Sequence, residues 1–386
     1  MRPDEERKFF NLTDNSFKIT LLLAHLKPVN RFIVLIANLL FMLIKSITGR
    51  GNNITNRLVV ICLHRLGDTV FCIPALEGIF NCYKNYEIFI ISYPETKSIL
   101  SLRFAEDKIH TVNKSDFKLQ RRIATRKSKM VLKELKPEII FDLTGSPTSA
   151  SLILNSGARE IIGINLEYFK TLYTTFTPTR TKPHFIDIYN DVLKSVKPNY
   201  KEYSFEFNIN AGTDGYVIIH PFAIRKAKEW GIHKYIELAG RLNKYYNVIV
   251  ISPPNFIDDD ILFEIDSMQI DLQITNTIDE LIRVTQKAAL FISNDSGPIY
   301  IASLLGKPTF TIYGPTNPKF SLPFGAYHKY YQKILSCSAS DEKYCFTLGG
   351  INCPSQECLN LISVNEVENE IKKFIKELSI EKKTAK

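Results

Sequence analysis

The strongest constraint on the fold of this chain is an alternation of apolar runs with helical patterns that starts at Arg57. The runs RLVVICL, YEIFIIS, EIIFDLTG and REIIGIN are rich in β-branched residues, and segments of helical spacing such as TVFCIPALEGIFNCY separate them. Continuous apolar runs of this kind are typical of strands that are buried on both faces. Strands that alternate with helices predict βαβ units around a parallel sheet.

The alternation is interrupted once and then restarts. The segment TPTRTKPHF, residues 177–185, contains two prolines, and the stretch around residues 197–203 also lacks the pattern. Strand-like runs resume with YVIIHPF, NVIVISPP, ALFISN and PTFTIYG, and a helical stripe covers residues 364–378. A chain of 386 residues suits about two domains.

We therefore predict two α/β domains of similar size, each with its own parallel sheet. Residues 1–56 are an N-terminal extension, residues 57–190 the first domain, residues 191–362 the second domain, and residues 363–386 a C-terminal helix and tail. The apolar fraction of 45% and the charged fraction of 23% are those of a folded globular protein.

The net charge of +9 indicates an anionic partner: nucleic acid, a membrane surface or a phosphorylated substrate. Residues 117–129, FKLQRRIATRKSK, hold six basic residues and no acid. This stretch is predicted to be helical up to Lys136. Its basic side chains, Arg121 and Arg122 among them, form either a solvated helix face or a surface for the anionic partner. No recognition motif supports binding of nucleic acid.

The N-terminal extension contains FIVLIANLLFMLI, residues 32–44, in which only Asn38 is polar. A membrane-spanning helix needs about 20 apolar residues, so this run is too short. Two alternatives remain, a helix buried against the first domain or a helix that lies in the membrane interface. The flanking Lys27, Arg31 and Lys45 favour the interface, because they would meet anionic headgroups.

The seven cysteines fall into two groups. Three lie in or near apolar elements and are predicted to be small buried residues: Cys62, Cys72 and Cys82. Four cluster near the C-terminus: Cys337, Cys345, Cys353 and Cys358. Their spacing has no C-x-x-C pair, so the signal for a zinc site is weak. Reduced thiols are the default, with a zinc site or a disulfide as the alternatives.

Ligands of parallel sheets bind outside the carboxyl ends of the strands, so the cleft between the two sheets is the expected site. The first strand ends in LHRLGDTVF, where Gly67 allows a sharp turn before Asp68. Asp68 is either an N-cap residue or a carboxylate that acts as general base. In the second domain, Lys228 follows the strand that ends at His220 and suits a phosphate group. Its neighbours Arg225 and Lys226 are expected to lie in a solvated loop.

The stretch ISNDSGP places Asp295, Ser296 and Gly297 between a strand and a helix that should start near Pro298. The N–H groups and the positive end of such a helix form an anion site, and Asp295 could meet hydroxyls of a ribose or sugar. The nearby turn YGPT would flank the same pocket. No G-x-x-x-x-G-K-[ST] or G-x-G-x-x-G motif is present, which favours a diphosphate nucleotide over triphosphate hydrolysis or a dinucleotide.

These stretches resemble a known family. RLVVICLHRLGDTVFCIPALEGI is similar to the opening of the heptosyltransferase-type enzymes of glycosyltransferase family 9, with their strand–RxGD–[IV]–xxxPAL pattern. FISNDSGPIYIASLLGKPTFTIYGPTNP resembles their second signature, D-[ST]-G-P-x-H-x-A-x-x-x-x-x-P, and KEWGIHKYIELAGRL resembles the K-x-W-x-x-x-x-[WY] helix start between the two. The resemblance covers roughly residues 57–375 and leaves the extension outside.

The resemblance implies a GT-B fold, in which two Rossmann-like parallel-sheet domains face each other across a cleft. It implies an inverting transfer, without metal or cofactor, from a nucleotide sugar, commonly ADP-heptose, to a lipopolysaccharide core or similar glycan. The acceptor belongs to the first domain and the donor to the second.

The same resemblance assigns roles to single residues. Asp68 matches the proposed catalytic base and Lys228 the phosphate-contacting lysine. The donor-binding turn corresponds to Asp295, Ser296 and Gly297. Three arginines would face the anionic acceptor or the membrane, although no family motif assigns that role: Arg65, Arg121 and Arg122.

Two departures from the family pattern concern the donor site. Tyr300 stands where the family usually has histidine, and a phenol donates one hydrogen bond but carries no positive charge at neutral pH. The strand VIVISPPN lacks the G-G-x-x-[ED] pattern that often follows there. Both departures bear on the identity of the donor more than on the reaction class.

We therefore expect a cytoplasmic glycosyltransferase, peripheral on the inner face of the cytoplasmic membrane, that acts on an anionic glycolipid or oligosaccharide. Its expected donor is ADP-heptose. One alternative is a GT-B transferase that uses another nucleotide sugar. A second alternative is a non-catalytic nucleotide-sugar-binding or scaffold protein.

Overall fold

The computed structural model describes residues 36, 38, 39, 42, 43, 51–119, 122–165, 167–178, 184–201, 215–323, 325, 327–338, 353 and 355–380. The chain forms two compact units that divide between Ser204 and Phe205. Each unit has a six-stranded parallel sheet of its own.

The first unit alternates strands and helices, as its apolar runs predict. Its elements are β1 (Arg57–Cys62), α1 (Leu66–Cys82), β2 (Glu87–Ser92), α2 (Pro94–Leu100), β3 (Ile109–Thr111), β4 (Phe117–Lys118), β5 (Ile123–Ala124), α3 (Arg126–Leu135), β6 (Ile139–Asp142), α4 (Pro147–Ile153), β7 (Glu160–Asn165), β8 (Thr175–Pro178) and α5 (Phe185–Lys194).

The strand order of the first sheet is β3-β2-β1-β6-β7-β8, and every pairing in it is parallel. Val60 of β1 lies beside Ile90 of β2 and Phe141 of β6. All three side chains are fully buried. The central strands are therefore covered on both faces, which is why their sequences are apolar runs without alternation.

The basic stretch of residues 117–129 is not one helix, and that prediction was wrong. Its first part forms the antiparallel pair β4 and β5, and only α3 is helical. The N-cap residue of α3 is Thr125, whose hydroxyl donates to the Asp116 carbonyl at 2.8 Å. The Thr125 side chain makes no capping bond to the helix, but the Thr125 N–H also donates to the Asp116 carbonyl, so the helix begins only after this residue, inside the basic run.

The second unit repeats the same pattern. Its elements are β9 (Tyr216–His220), α6 (Ile232–Asn243), β10 (Val248–Ser252), α7 (Asp259–Ser267), β11 (Asp271–Ile274), α8 (Ile278–Thr285), β12 (Ala288–Asn294), α9 (Gly297–Leu304), β13 (Thr309–Tyr313), α10 (Pro318–Ser321), β14 (His328–Gln332), α11 (Glu357–Asn360) and α12 (Val364–Glu377).

The second sheet has the order β11-β10-β9-β12-β13-β14, again with parallel pairings only. Helix α12 belongs to this unit, because Val367 and Ile371 lie in one core cluster with Ile219 of β9 and Ile292 of β12. In the first unit, α5 runs across residues 190 and 191, where the sequence places the domain boundary.

In the N-terminal extension, residues 36, 38, 39, 42 and 43 are helical, and residues 51–56 lead into β1 without regular structure. Asn38 bonds to Thr171 of the first unit: its side-chain oxygen accepts from the Thr171 N–H at 3.2 Å, and its carbonyl accepts from the Thr171 hydroxyl at 3.0 Å. The apolar side chains beside Asn38 are exposed by 41% to 55%: Ile36, Leu39, Met42 and Leu43. Within the described residues, no helix combines the length and the apolar character that a bilayer crossing requires.

Candidate active site

Each sheet reverses its strand order at one point, and the two motifs of interest lie at these points. The direction changes between β1 and β6 in the first unit and between β9 and β12 in the second. Open α/β sheets bind ligands outside the carboxyl ends of the strands at such a switch point. Asp68 follows β1 and the turn Asp295–Gly297 follows β12, so each motif lies where its own sheet offers a binding crevice.

Asn294, the last residue of β12, holds the loop that carries Lys228. Its side-chain oxygen accepts from the Trp230 backbone N–H and from the Tyr235 hydroxyl, both at 3.0 Å. Its amide nitrogen donates to the Pro221 carbonyl at 2.7 Å. Because Asn294 is fully buried, these bonds are needed to offset its desolvation. The loop with Lys228 is thereby fixed at the end of β12.

The carboxylate of Asp295 has protein partners on both oxygens. Oδ2 forms an ion pair with the Lys228 ammonium and accepts from the Thr316 hydroxyl at 2.6 Å. Oδ1 accepts a hydrogen bond from the Tyr300 hydroxyl. Asp295 is 4% exposed, whereas the side chain of Lys228 is 22% exposed. The Lys228 side chain is therefore more accessible to solvent than the carboxylate with which it pairs.

Neighbouring groups keep the carboxylate of Asp295 ionised at neutral pH. Burial acts to raise the pKa of Asp295, but the Lys228 ammonium and the Thr316 and Tyr300 hydroxyls outweigh burial and lower the pKa. Burial and the Asp295 charge raise the pKa of Tyr300 well above its usual value. The phenol thus stays protonated and serves as a donor to the carboxylate.

Helix α9 begins at this network, close to Pro298 as the sequence predicts. Ser296 occupies the N-cap position, but its side chain makes no capping bond, and its hydroxyl lies 3.1 Å from that of Ser293. The Ser293 hydroxyl donates to the His220 carbonyl at 2.8 Å. Ser296 and Gly297 are half-buried. The positive end of α9 thus lies beside a lysine, an arrangement that suits an anion.

In the first unit, Asp68 is the third residue of α1. The N-cap position belongs to Arg65, whose carbonyl accepts from the Thr69 N–H at 2.9 Å. Asp68 is therefore a first-turn carboxylate and not the N-cap residue, contrary to one of the two alternatives. It is half-buried, and the positive end of the helix favours its negative charge.

His64 is a buried neighbour of Asp68 that sequence reasoning missed. Its Nε2 lies 3.1 Å from the Leu143 carbonyl, and its ring meets the edge of the Tyr189 ring at 5.4 Å. Burial lowers the pKa of His64, although the Asp68 charge and the Leu143 carbonyl oppose this shift. The imidazole is therefore neutral at physiological pH.

Two buried cysteines lie beside His64. The sulfur atoms of Cys62 and Cys72 and a ring nitrogen of His64 all lie within 4.8 Å of one another. Burial and the neighbouring Cys62 raise the pKa of the Cys72 thiol, while a hydrogen bond with Tyr189 acts in the opposite direction. Both cysteines are fully buried, which confirms that prediction, whereas Cys82 is half-buried.

The turn after β6 supports the turn after β1. Asp142 is fully buried and accepts from the Tyr173 hydroxyl at 2.6 Å and from the N–H groups of Thr144 and Gly145 at 2.9 and 3.1 Å. The Thr144 hydroxyl in turn accepts from the Leu63 N–H at 2.8 Å. The backbone next to His64 is therefore anchored to the neighbouring strand.

The other predicted site residues lie elsewhere in the fold. Arg122 is exposed, and its N–H donates to the Lys118 carbonyl at 3.0 Å in the turn between β4 and β5. Arg121 and Cys345 lie outside the described residues. Five of the cysteines that the structure describes are free thiols: Cys62, Cys72, Cys82, Cys337 and Cys353.

Sequence reasoning also missed Asn294 and Thr316 in the second unit. Asn294 directly precedes the Asp-Ser-Gly turn, and Thr316 belongs to the quoted YGPT turn, so both had a positional signal. Tyr189 had none, because it lies on α5, more than a hundred positions after its partner Cys72 in the chain.

Part of the chain matches a known protein family. Residues 175–349 match the family model described as glycosyltransferase family 9 (heptosyltransferase). No curated protein gives a significant match to the chain. The family match includes Asn294, Asp295 and Thr316. It covers less than half of the chain and, for that part, confirms the relationship to glycosyltransferase family 9 that the sequence motifs predict.

Several solved structures share this fold. The ADP-heptose lipopolysaccharide heptosyltransferase II of Escherichia coli is 17% identical with a TM-score of 0.63, over 83% of this chain and 99% of that one. A family 9 glycosyltransferase of Veillonella parvula DSM 2008 is 20% identical with a TM-score of 0.67, over 85% and 100%. The E. coli heptosyltransferase WaaC, solved with ADP, is 15% identical with a TM-score of 0.58, over 82% and 99%.

At these identities the similarity to the solved structures shows the fold. The prediction of two Rossmann-like parallel-sheet domains of the GT-B type is confirmed.

Proposed function

We propose that this glycosyltransferase transfers heptose from ADP-heptose, with inversion and without a metal ion, to a lipopolysaccharide core or a related surface glycan. The observation that carries the proposal is the Asp295–Lys228 ion pair at the start of α9, inside the region that matches the heptosyltransferase family. WaaC was solved with ADP and with an ADP-2-deoxy-2-fluoro heptose, which supports a nucleoside diphosphate sugar as the donor class.

In this proposal the second unit binds the donor. An ammonium group has three N–H donors, so the ion pair with Asp295 leaves Lys228 donors for a phosphate oxygen. The N–H groups at the start of α9 supply further partial positive charge. Both groups are held in place before the reaction, and they stabilise the negative charge of the departing diphosphate. Asp295 acts mainly by orienting Lys228, because both of its oxygens already accept from protein groups.

The first unit supplies Asp68 as the general base. The acceptor hydroxyl oxygen attacks the anomeric carbon, and the bond from that carbon to the diphosphate oxygen breaks, with its electron pair leaving on the diphosphate. The hydroxyl proton passes to the Asp68 carboxylate. Attack opposite to the leaving group inverts the configuration at the anomeric carbon.

Donor binding can be tested by thermal shift with ADP-heptose, ADP and a panel of UDP- and GDP-sugars. A ligand that binds the folded state raises the melting temperature by mass action. We expect a shift with ADP-heptose and ADP, and release of ADP on addition of a heptose-acceptor lipopolysaccharide core. A shift with a different nucleotide sugar alone would favour the alternative donor, and binding without turnover on any acceptor would favour a scaffold.

We also propose that the enzyme sits peripherally on the inner face of the cytoplasmic membrane. The extension is tied to the first unit through Asn38 and Thr171, and it presents an exposed apolar face of Ile36, Leu39 and Leu43. The sequence flanks this face with Lys27 and Lys45. An apolar helix face with basic flanks suits an anionic membrane interface. Its acceptor would be a glycolipid in that membrane.

A further inference from the structure

The first unit contains a compact set of soft metal ligands behind Asp68 that the transfer reaction does not use. Cys62 is the last residue of β1, His64 lies in the turn that follows, and Cys72 lies in α1. Two sulfur atoms and one imidazole nitrogen from these residues lie within 4.8 Å of one another. We propose that Cys62, His64 and Cys72 form a binding site for a zinc ion.

The spacing of the three atoms suits a single ion. Zinc binds cysteine sulfur at about 2.3 Å and histidine nitrogen at about 2.0–2.1 Å, so ligand atoms around one ion lie about 3.5–4 Å apart. The observed spread of at most 4.8 Å needs only small side-chain movements. Because the turn after β6 anchors Leu63 through Thr144, the backbone that carries two of the ligands is already in position.

One ring nitrogen of His64 has a backbone carbonyl as its partner, as is usual for metal-binding histidines. Metal-binding histidines usually donate their other ring N–H to a carbonyl or carboxylate, which sets the tautomer. Nε2 of His64 lies 3.1 Å from the Leu143 carbonyl, so a proton on Nε2 leaves the Nδ1 lone pair for the ion.

Charge balance favours a divalent over a monovalent ion. Cys62 and Cys72 are fully buried and His64 is 8% exposed, so a net charge here would be costly. Two thiolates and a neutral imidazole neutralise Zn²⁺, whereas they would leave a monovalent ion with a net negative charge. Three protein ligands leave one position of a tetrahedral zinc site for water or for the nearby Tyr189 hydroxyl.

The binding test uses the full-length protein, stripped of metal and kept reduced. We expect one equivalent of Zn²⁺ to bind and to raise the melting temperature. Cys72→Ala should weaken that binding more than about 100-fold, since loss of a supporting partner alone commonly costs 10–100-fold. Cys82→Ala, at the end of the same helix, is the matched control and should bind like the parent. Equal zinc affinity in the Cys72→Ala and Cys82→Ala proteins would overturn the proposal.

A second measurement, with Co²⁺, does not depend on the folding of the Cys72→Ala variant. It also distinguishes the proposed site from metal binding at the C-terminal cysteines. Co²⁺ added to the parent should produce the near-ultraviolet band of thiolate coordination. His64→Gln keeps both thiols and should change the visible spectrum of bound Co²⁺. Loss of the thiolate band on Cys353→Ala, with no effect of His64→Gln, would place the ion at the C-terminal cysteines and contradict the proposal. The site concerns the first unit alone, so this result is independent of the proposed transferase activity.

Discussion

At the scale of single residues, the carboxylate of Asp295 governs the geometry of the proposed donor site. It joins a lysine from the loop after β9, a tyrosine from α9 and a threonine from the turn after β13. Tyr300 stands where the family usually has histidine. Its hydroxyl donates a hydrogen bond to this carboxylate, which a histidine ring N–H could also do.

Replacement of Lys228 tests its proposed contact with the diphosphate. Lys228→Ala should weaken ADP binding by roughly tenfold to a hundredfold, since a hydrogen bond to a charged group contributes about 1.5–3 kcal/mol. Isothermal titration with ADP measures this. Lys226→Ala is the control, because Lys226 lies two residues away and its side chain is 91% exposed. If both variants bind ADP like the parent, the donor site lies elsewhere.

Asp68→Asn tests the general base. An amide keeps the shape of the side chain but cannot accept the proton, so turnover should fall by about 10²- to 10⁴-fold with ADP affinity unchanged. Asp187→Asn is a matched control, because Asp187 is also a first-turn carboxylate of the first unit and accepts from the His184 N–H at 2.9 Å. It should lower the melting temperature without lowering turnover per folded molecule. The opposite pattern, with Asp68→Asn affecting only stability, would make Asp68 a purely structural residue.

At the scale of elements, apolar runs and turn residues carry most of the information that can be read from the chain. β1, β2, β6, β7, β9, β10, β12 and β13 follow from continuous β-branched runs, and the start of α9 follows from Pro298. The hairpin of β4 and β5 does not, because its strands have two residues each and a basic composition that helices share.

Contacts between distant elements explain why half of the site escaped prediction. Asn294 meets the backbone of Trp230 across 64 positions, and Tyr189 lies on α5 while its neighbour His64 follows β1. Sequence spacing reports which residues share a turn or a helix face, but strand order decides which turns become neighbours. The sequence therefore points to Asp68 and Asp295, which lie within turns, but not to the residues that hold them in place.

Acidic substitutions test whether the exposed apolar face of the extension binds a membrane. Leu39→Glu combined with Leu43→Glu should abolish co-sedimentation with vesicles that contain anionic lipid, because it places negative charge on the apolar face that would meet the membrane. Leu119→Glu is the control: Leu119 is 69% exposed but lies in the turn between β4 and β5. Sedimentation of the double variant at the parental level would show that this face does not bind the membrane.

At the scale of the whole molecule, two buried histidines make the stability of the second unit depend on pH. Burial lowers the pKa of both His220 and His328 to about 4. His328 lies 2.8 Å from the Thr309 hydroxyl, with the Ser303 hydroxyl at 3.5 Å. Both rings are therefore neutral in the folded protein, whereas unfolded histidine titrates near pH 6.5.

The sign of the effect follows from proton uptake. Between pH 6.5 and 4 the unfolded chain binds more protons than the folded chain, so stability is complete above pH 6.5 and falls as the pH is lowered towards 4. Each histidine contributes up to about 3 kcal/mol to this loss. Urea denaturation at pH 7 and pH 4.5 measures it. His328→Gln should reduce the pH dependence by about half, and an unchanged dependence would assign the loss to other groups.

Both sheets have six strands in the same order, and each takes all of them from one continuous stretch, residues 57–178 for the first and 216–332 for the second. Protein synthesis adds these stretches in turn, and domains generally fold as units with the N-terminal one first. The first sheet can pair all its strands during translation, before any strand of the second has been made. We therefore expect translation order to limit strand exchange between two sheets of like topology, and refolding of the complete chain to show more of it.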